Sequence, residues 1–234
     1  MAVVFPFVDR SRQQRHIQSW SRKLLDILRV RLHGGGLDRF PPRTLIVANH
    51  VSWLDIWLLH SVSAVCFVAK SEIREWPLIG WMAARARTLF IERERKRDTH
   101  RIAGVIADAL SAQEAVAIFP ESTTTDGLTV KPFRASLVQP AVDLNAPVMA
   151  VAIRYLNADG SINTQIAYAD DTTLMQSLRS ILAHPEVHAE VIDLGVIEVG
   201  DKTRRVIALE AEQRVREAVM VSPAEAQRLP TMLP

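Results

Sequence analysis

Arg43-Thr44-Leu45-Ile46-Val47-Ala48-Asn49-His50-Val51-Ser52-Trp53-Leu54-Asp55-Ile56-Trp57-Leu58-Leu59 is the stretch whose reading decides the fold. Its first part is a β-branched, apolar run, the pattern of a buried strand. Its last part, Ile56 to Leu59, suits a helix. His50 therefore stands where a strand gives way to a helix. In open α/β sheets, ligands bind in the crevice beyond the carboxyl ends of the strands. An imidazole there can accept a proton near neutral pH, and Asp55 can orient its ring and stabilise the imidazolium. A plainer reading stands beside this one. Ser52-Trp53-Leu54-Asp55 matches a helix capping box, with Asp where Glu is more usual, so Asp55 could simply answer backbone N–H groups.

A second stretch tips the balance. Phe119-Pro120-Glu121-Ser122-Thr123-Thr124-Thr125-Asp126-Gly127 also follows a short apolar strand, Ala115 to Ile118. Two polar turns after two strands can converge on one crevice. A hydrolase using His50 and Asp55 with Ser52, Ser122 or Ser136 is the rival chemistry, but none of these serines lies in a Gly-x-Ser-x-Gly elbow. No metal site is expected. The histidines are scattered, and Pro185 between His184 and His188 disfavours the continuous helix that their spacing would need.

Outward from these turns, strands and helices alternate. Strands are expected near 43–48, 65–69, 88–91, 115–119, 148–154, 163–168 and 189–198. Helices are expected near 53–61, 78–86, 98–111, 135–144, 173–183 and 202–220. Such alternation argues for an α/β fold with helices on the faces of a sheet. The 234 residues, 48% of them hydrophobic, are enough for one domain with a sizeable core. A net charge of +2 gives no argument for nucleic acid. The single cysteine, Cys66, cannot form an internal disulfide. A reducing compartment is the simpler setting, with Cys66 acting as a small apolar residue in a strand. Val3 to Val8 is too short for the core of a secretory signal. The longest uncharged run near the first turn, Ile56 to Ala69, falls short of the roughly 18–20 apolar residues of a membrane span.

The charge is unevenly placed. Residues 1–36 hold seven Lys/Arg against two acids, leaving about −3 on the remainder. Within 11–32, Ile17, Trp20, Leu24, Ile27, Leu28 and Leu32 recur at helical spacing. A basic amphipathic helix with Trp on its apolar side suits the surface of an anionic membrane. A helix packed on the domain with a solvated charged face has the same pattern. His33-Gly34-Gly35-Gly36 ends the helix and sets the expected boundary, giving a membrane-associating segment 1–36 and a domain 37–234. Further on, Trp76-Pro77-Leu78-Ile79-Gly80-Trp81-Met82 could line an acyl groove, touch lipid or lie in the core. Seven cations and three acids follow between Arg85 and Arg101. Arg93, directly after Leu89-Phe90-Ile91-Glu92, is placed at a strand end, where a guanidinium can meet a phosphate.

Four ordered blocks carry a family resemblance. Asn49-His50-Val51-Ser52-Trp53-Leu54-Asp55 resembles the His-x4-Asp motif of the glycerolipid acyltransferases. Arg87-Thr88-Leu89-Phe90-Ile91-Glu92-Arg93 resembles their second block, Phe119-Pro120-Glu121-Ser122-Thr123 their third, and Ala146-Pro147-Val148-Met149-Ala150-Val151 their fourth. The likeness is greatest to bacterial 1-acylglycerol-3-phosphate acyltransferases and their lyso-ornithine-lipid relatives, and covers residues 37 to 155 best.

The resemblance implies a single mixed sheet flanked by helices, preceded here by the basic amphipathic helix. It implies transfer of an acyl group from an acyl thioester, on coenzyme A or acyl carrier protein, to a lysolipid hydroxyl in phospholipid biosynthesis, with no cofactor. His50 would be the general base and Asp55 its orienting partner. Arg93 would bind the acceptor's anionic head group, Glu121, Ser122 and Thr123 would shape the acceptor pocket, and Lys131 and Arg134 would add positive charge. The expected partners are the lysolipid, the acyl donor and a membrane surface, on the cytoplasmic face of the inner membrane. The blocks also depart from the family pattern. Ser122 and Arg87 replace glycines, Ala150 a proline, and Thr124 stands where Arg is frequent. Thr124 leaves room for a zwitterionic acceptor such as lyso-ornithine lipid, and Ser122 and Arg87 for a non-catalytic lipid-binding relative.

Overall fold

Strands and helices do alternate along the chain. The computed structural model describes residues 9–33, 39–70, 75, 80, 88–91, 97–169 and 171–220. In chain order these form α1 (Arg10–Ile27), β1 (Val30–His33), β2 (Leu45–Ala48), α2 (Leu54–Val62), β3 (Cys66–Lys70) and β4 (Thr88–Ile91). They continue as α3 (Arg97–Ser111), β5 (Val116–Ile118), α4 (Gln139–Asp143), β6 (Val148–Leu156), α5 (Leu174–Ala183), β7 (Val187–Ile197) and α6 (Arg204–Met220).

The seven described strands make one sheet in the order β1-β7-β6-β2-β5-β3-β4. β6, β2, β5, β3 and β4 run parallel, β7 lies antiparallel to β6, and β1 is parallel to β7. The sheet is therefore mixed, as expected. β2, β5 and β6 are buried along their whole lengths. That is why they read as continuous apolar runs: both faces of a central parallel strand are covered by helices. One face carries α1, α2 and α5, with Ile46, Leu58, Phe67, Ile153 and Ile181 in its core. The other carries α3, α4 and α6, with Leu45, Ile106, Val138, Val148 and Ile207.

The amino-terminal segment differs from its expectation. The helix stops at Ile27, and the chain re-enters the sheet as β1, whose Val30 lies opposite Val187. Ile17, Leu25 and Leu28 are buried in the core shared with α2, so the apolar stripe of α1 faces the domain. The Arg22 Nε donates to the Ser61 carbonyl at 2.9 Å, and Gln18 Nε2 donates to the Val62 carbonyl. Both answer carbonyls that the last turn of α2 leaves without helical partners, and a cation suits a helix C-terminus. The division at residue 36 is therefore not a division of the fold, since β1 is a strand of the main sheet. Two further elements differ. Residues 163–168 form a 3₁₀ turn, Thr164–Ile166, instead of a strand. The expected helix 135–144 is a 3₁₀ turn, Ala135–Leu137, followed by the short α4, which has Pro140 in its first turn. Apart from Gly80, residues 76–82 lie outside the described residues, as does most of the expected helix 78–86.

His60, on α2, is fully buried, and the edge of its ring meets Phe67 at 4.9 Å between centroids. Among the described residues neither ring nitrogen has a hydrogen-bond partner. Burial pushes the pKa of His60 down to about 3 from the usual 6.5. The unfolded chain binds this proton near pH 6.5 and the folded chain does not until near pH 3. Stability from this residue is thus complete above pH 6.5 and is lost as pH falls through that window. Between pH 7 and 4.5 the wild type is expected to lose roughly 2–3 kcal/mol through this group alone, a loss that His60→Phe removes. Denaturant midpoints at the two pH values check it. Equal pH dependence in the two proteins would refute it.

Candidate active site

β2 and β5 are neighbours, and both end at the same edge of the sheet. The chain leaving β2 enters α2 on one face. The chain leaving β5 reaches Leu137 and α4 on the other. Connections that diverge from adjacent parallel strands leave a crevice between them. The two polar turns of the sequence face each other across this one.

Asn49 is the first residue past β2. Its side-chain oxygen accepts from Ile153 N at 2.8 Å and its Nδ2 donates to Ile153 O at 2.9 Å. The amide continues the ladder to β6 after the backbone has turned away. Only a side chain with both a donor and an acceptor can do this. His50 follows, with its ring one-fifth exposed. Its Nδ1 lies 2.7 Å from Asp55 Oδ2. A carboxylate only accepts, so Nδ1 carries the hydrogen, and in the neutral ring Nε2 holds the free lone pair.

The Asp55 side chain is fully buried. Oδ2 also accepts from Val51 N at 2.7 Å and from Ser52 N at 3.0 Å. Oδ1 accepts from the Tyr155 hydroxyl at 2.7 Å. The capping reading is half right. Asp55 reaches back to the Ser52 N–H as a capping box requires, but among the described residues the buried Ser52 hydroxyl has no partner. One carboxylate holds both the turn and the imidazole.

The facing turn contributes Phe119 and Glu121. The Phe119 ring stacks on His50 at 3.9 Å between centroids, with the planes 6° apart. Glu121 Oε1 accepts from His50 N at 2.8 Å and Oε2 from Lys131 N at 2.7 Å. Both oxygens of this buried carboxylate thus tie backbone segments together. Burial pushes the Glu121 carboxyl above its usual range, and the two backbone N–H groups hold it back only in part. Ser122 has φ 60°, the left-handed region, and Thr123 is exposed on the same turn. Thr124 donates its hydroxyl to Tyr168 O, and Thr125 N donates to His50 O at 2.9 Å. Lys131 and Arg134 are exposed beyond the turn. Gly127, at φ 86°, lies where a Cβ would meet Val51. Arg93 and Arg87 lie outside the described residues.

Among the described residues no group of His, Cys, Asp and Glu is arranged to hold a metal ion. No serine hydroxyl bonds His50 there either. The arrangement therefore fits a base acting directly on a bound hydroxyl better than a serine nucleophile. Sequence reasoning missed Tyr155. It sits one residue past the strand end expected at 154, and a tyrosine inside an apolar strand signals core before it signals a hydrogen bond.

A family model described as "Acyltransferase" matches residues 30–154. The chain is 38% identical over 159 residues to a 1-acyl-sn-glycerol-3-phosphate acyltransferase of Neisseria meningitidis, a match covering 68% of this chain and 62% of that enzyme. A Neisseria gonorrhoeae enzyme of the same name is matched over 51% of its length, so the chain spans only half to three fifths of these two relatives. The chain is 34% identical over 215 residues to the lyso-ornithine lipid O-acyltransferase of Pseudomonas aeruginosa, covering 92% of this chain and 82% of that one. In fold it is similar to the crystal structure of the 1-acyl-sn-glycerophosphate (LPA) acyltransferase, PlsC, of Thermotoga maritima. That likeness has a TM-score of 0.63 at 18% identity and covers 94% of this chain and 81% of that one.

Ser122 occupies a backbone conformation that glycine adopts without strain and that disfavours other residues by about 1–2 kcal/mol, partly offset by glycine's greater unfolded-state entropy. Ser122→Gly should therefore raise the melting temperature slightly, by a stabilisation of up to about 1 kcal/mol. Thermal unfolding of both proteins is the check, and a lower melting temperature in the variant would refute the strain.

Proposed function

We propose, for a chain that belongs to the acyltransferase family, that it moves a fatty acyl group from an acyl thioester to the hydroxyl of a lysolipid. The observation that carries the reading is the contact of 2.7 Å between His50 Nδ1 and Asp55 Oδ2 at the carboxyl end of β2. With Nδ1 engaged, Nε2 is the atom that takes the acceptor's hydroxyl proton. The oxygen then attacks the thioester carbonyl carbon. The carbon–sulfur bond breaks, and the thiolate leaves with the proton that His50 holds. No covalent acyl-enzyme is required, and no step calls on a cofactor. Asp55 keeps the imidazole in the productive tautomer and stabilises its charged form. Phe119 fixes the ring plane from the facing turn. Arg93, Ser122, Thr123 and Lys131 are the proposed contacts to the acceptor. Glu121 serves that pocket by fixing its walls, since both its oxygens are engaged by backbone.

The acceptor we put first is 1-acylglycerol-3-phosphate, with coenzyme A or acyl carrier protein bearing the acyl group. One observation favours lyso-ornithine lipid as a second reading. Position 124, often Arg in related enzymes, is Thr, with its hydroxyl bonded to Tyr168 O. It therefore adds no cation for a phosphate. Mass spectrometry of products from a panel of lysolipids separates the two. His50→Ala should remain folded and lose roughly 10²–10⁴ in rate on whichever acceptor is used. Activity within a few-fold of wild type would overturn the mechanism.

No helix among the described residues is long and apolar enough to cross a membrane. We place the protein at the surface of the inner membrane on its cytoplasmic side, where its lipid substrates lie. The contact is proposed through the outer stripe of α1 and the edge strand. Trp20, Ile27 and Leu32 are exposed there, with Lys23 on the same stripe and Arg29 and Arg31 nearby. Each cation near an anionic leaflet is worth about 1 kcal/mol. In a flotation assay with anionic vesicles the full chain should float, and Lys23→Ser/Ile27→Ser, which alters only exposed side chains, should float much less at unchanged stability. High salt should weaken both, because exposed charges are screened beyond about 8 Å at physiological ionic strength. Equal flotation of the double variant would move the contact elsewhere.

A further inference from the structure

Tyr155 is 1% exposed in the core beneath α2. A phenylalanine would fill that space as well, and the hydroxyl is tolerated in an apolar setting only because it has a partner. That partner is Asp55 Oδ1, at 2.7 Å. Among the described residues the phenol is the one donor to this oxygen, while Oδ2 receives His50 Nδ1, Val51 N and Ser52 N. A carboxylate held through a single oxygen can still swing about its last torsion. Held through both, its plane is set, and so is the direction in which His50 must point. β6, which supplies the phenol, is itself registered to the turn two residues earlier, where Asn49 grips both backbone polar groups of Ile153. Ile153 and Tyr155 share one face of the strand. Burial and the charge of Asp55 push the phenol far above its ordinary range, so it remains a donor throughout the working pH range.

We propose that Tyr155 is a positioning residue of acyl transfer, its hydroxyl fixing Asp55 so that His50 presents Nε2 to the acceptor hydroxyl. This rests on the reading given under the proposed function. The titratable groups facing the Asp55 carboxylate are His50 from its own turn, Tyr155 from β6 and Glu121 from the turn after β5. Glu121 is common to the wild type and to the variant below, so its titration does not separate them.

The test is Tyr155→Phe, which keeps the ring and removes the donor. With one bond fewer, Asp55 is less well satisfied, and the His50–Asp55 pair takes up a proton more readily. The acid limb of the kcat/KM profile should therefore move to higher pH. The rate constant kcat should fall by about ten-fold or more, as expected for loss of a hydrogen bond to a charged group, with KM for both substrates nearly unchanged. Proton NMR of the full chain gives a readout independent of turnover. The His50 Nδ1–H signal, identified by its absence in His50→Ala, should shift in Tyr155→Phe. A superimposable pH profile and an unmoved signal would overturn the inference. So would a loss of rate that merely follows a loss of folded protein, with the profile unchanged. A wild-type protein that transfers acyl groups to no lysolipid would instead refute the acyl-transfer reading, and the NMR arm would still report on Tyr155.

Discussion

A carboxylate removed from water persists only where protein donors replace the lost solvent. Asp55 meets that condition with four: two backbone N–H groups of its own turn, an imidazole and a phenol. The geometry around it follows from that requirement. The chain bends sharply after β2 because Val51 and Ser52 must both point their N–H groups inward. α2 begins where it does because Asp55 reaches back from the first turn. The ring of His50 is held because its Nδ1 is one of the four. β6 projects well past its pairing with β2 and delivers Tyr155 to the remaining oxygen.

Glu121 does for the gap between turns what Asp55 does within one. Its two oxygens join His50, just past β2, to Lys131, ten residues along its own loop. The side chain that a sequence reader would offer to substrate is a strut. Direct contact with an acceptor is left to the groups around it, and the strut sets their spacing. The stack of Phe119 on His50 has the same logic, since a ring wedged against a flat aromatic face keeps its plane. The left-handed backbone at Ser122 lies next to this strut and is the local deformation that the arrangement imposes on a residue with a Cβ.

Much of this was legible in the order of residues. The buried parallel strands announce themselves as apolar runs within 43–48, 115–119 and 148–154, and His50 and Glu121 fall at the strand ends that this implies. The pairing of His50 with Asp55 followed from chemistry at a strand-to-helix join. Other features depend on partners far away in sequence. The apolar stripe of α1 is the same whether it meets lipid or α2, and only packing distinguishes them. β1 reads as helix in sequence because a short edge strand with one buried residue, Val30, carries almost no periodic signal. The 3₁₀ turn at Thr164–Ile166 reads as strand for its β-branched content, although the backbone just past it serves the site, Tyr168 N bonding to Val51 O. Tyr155 was hidden because nothing local marks which face of a fully buried strand looks at a carboxylate.

The pairing of β1 with β7 bears on how the chain comes into being. Val30 is made well before its partner Val187, which follows only after most of the domain between them. At ribosomal speeds that interval is roughly ten to thirty seconds. Meanwhile α1 has its apolar stripe and α2 to pack against, but the strand after it has no neighbour. Joining β1 to β7 closes a very long loop, the kind of contact that forms late in folding. The two ends of the described chain thus complete the sheet together. A nascent protein that has reached β6 already contains His50, Asp55 and Tyr155, yet its edge remains open until β7 has been made.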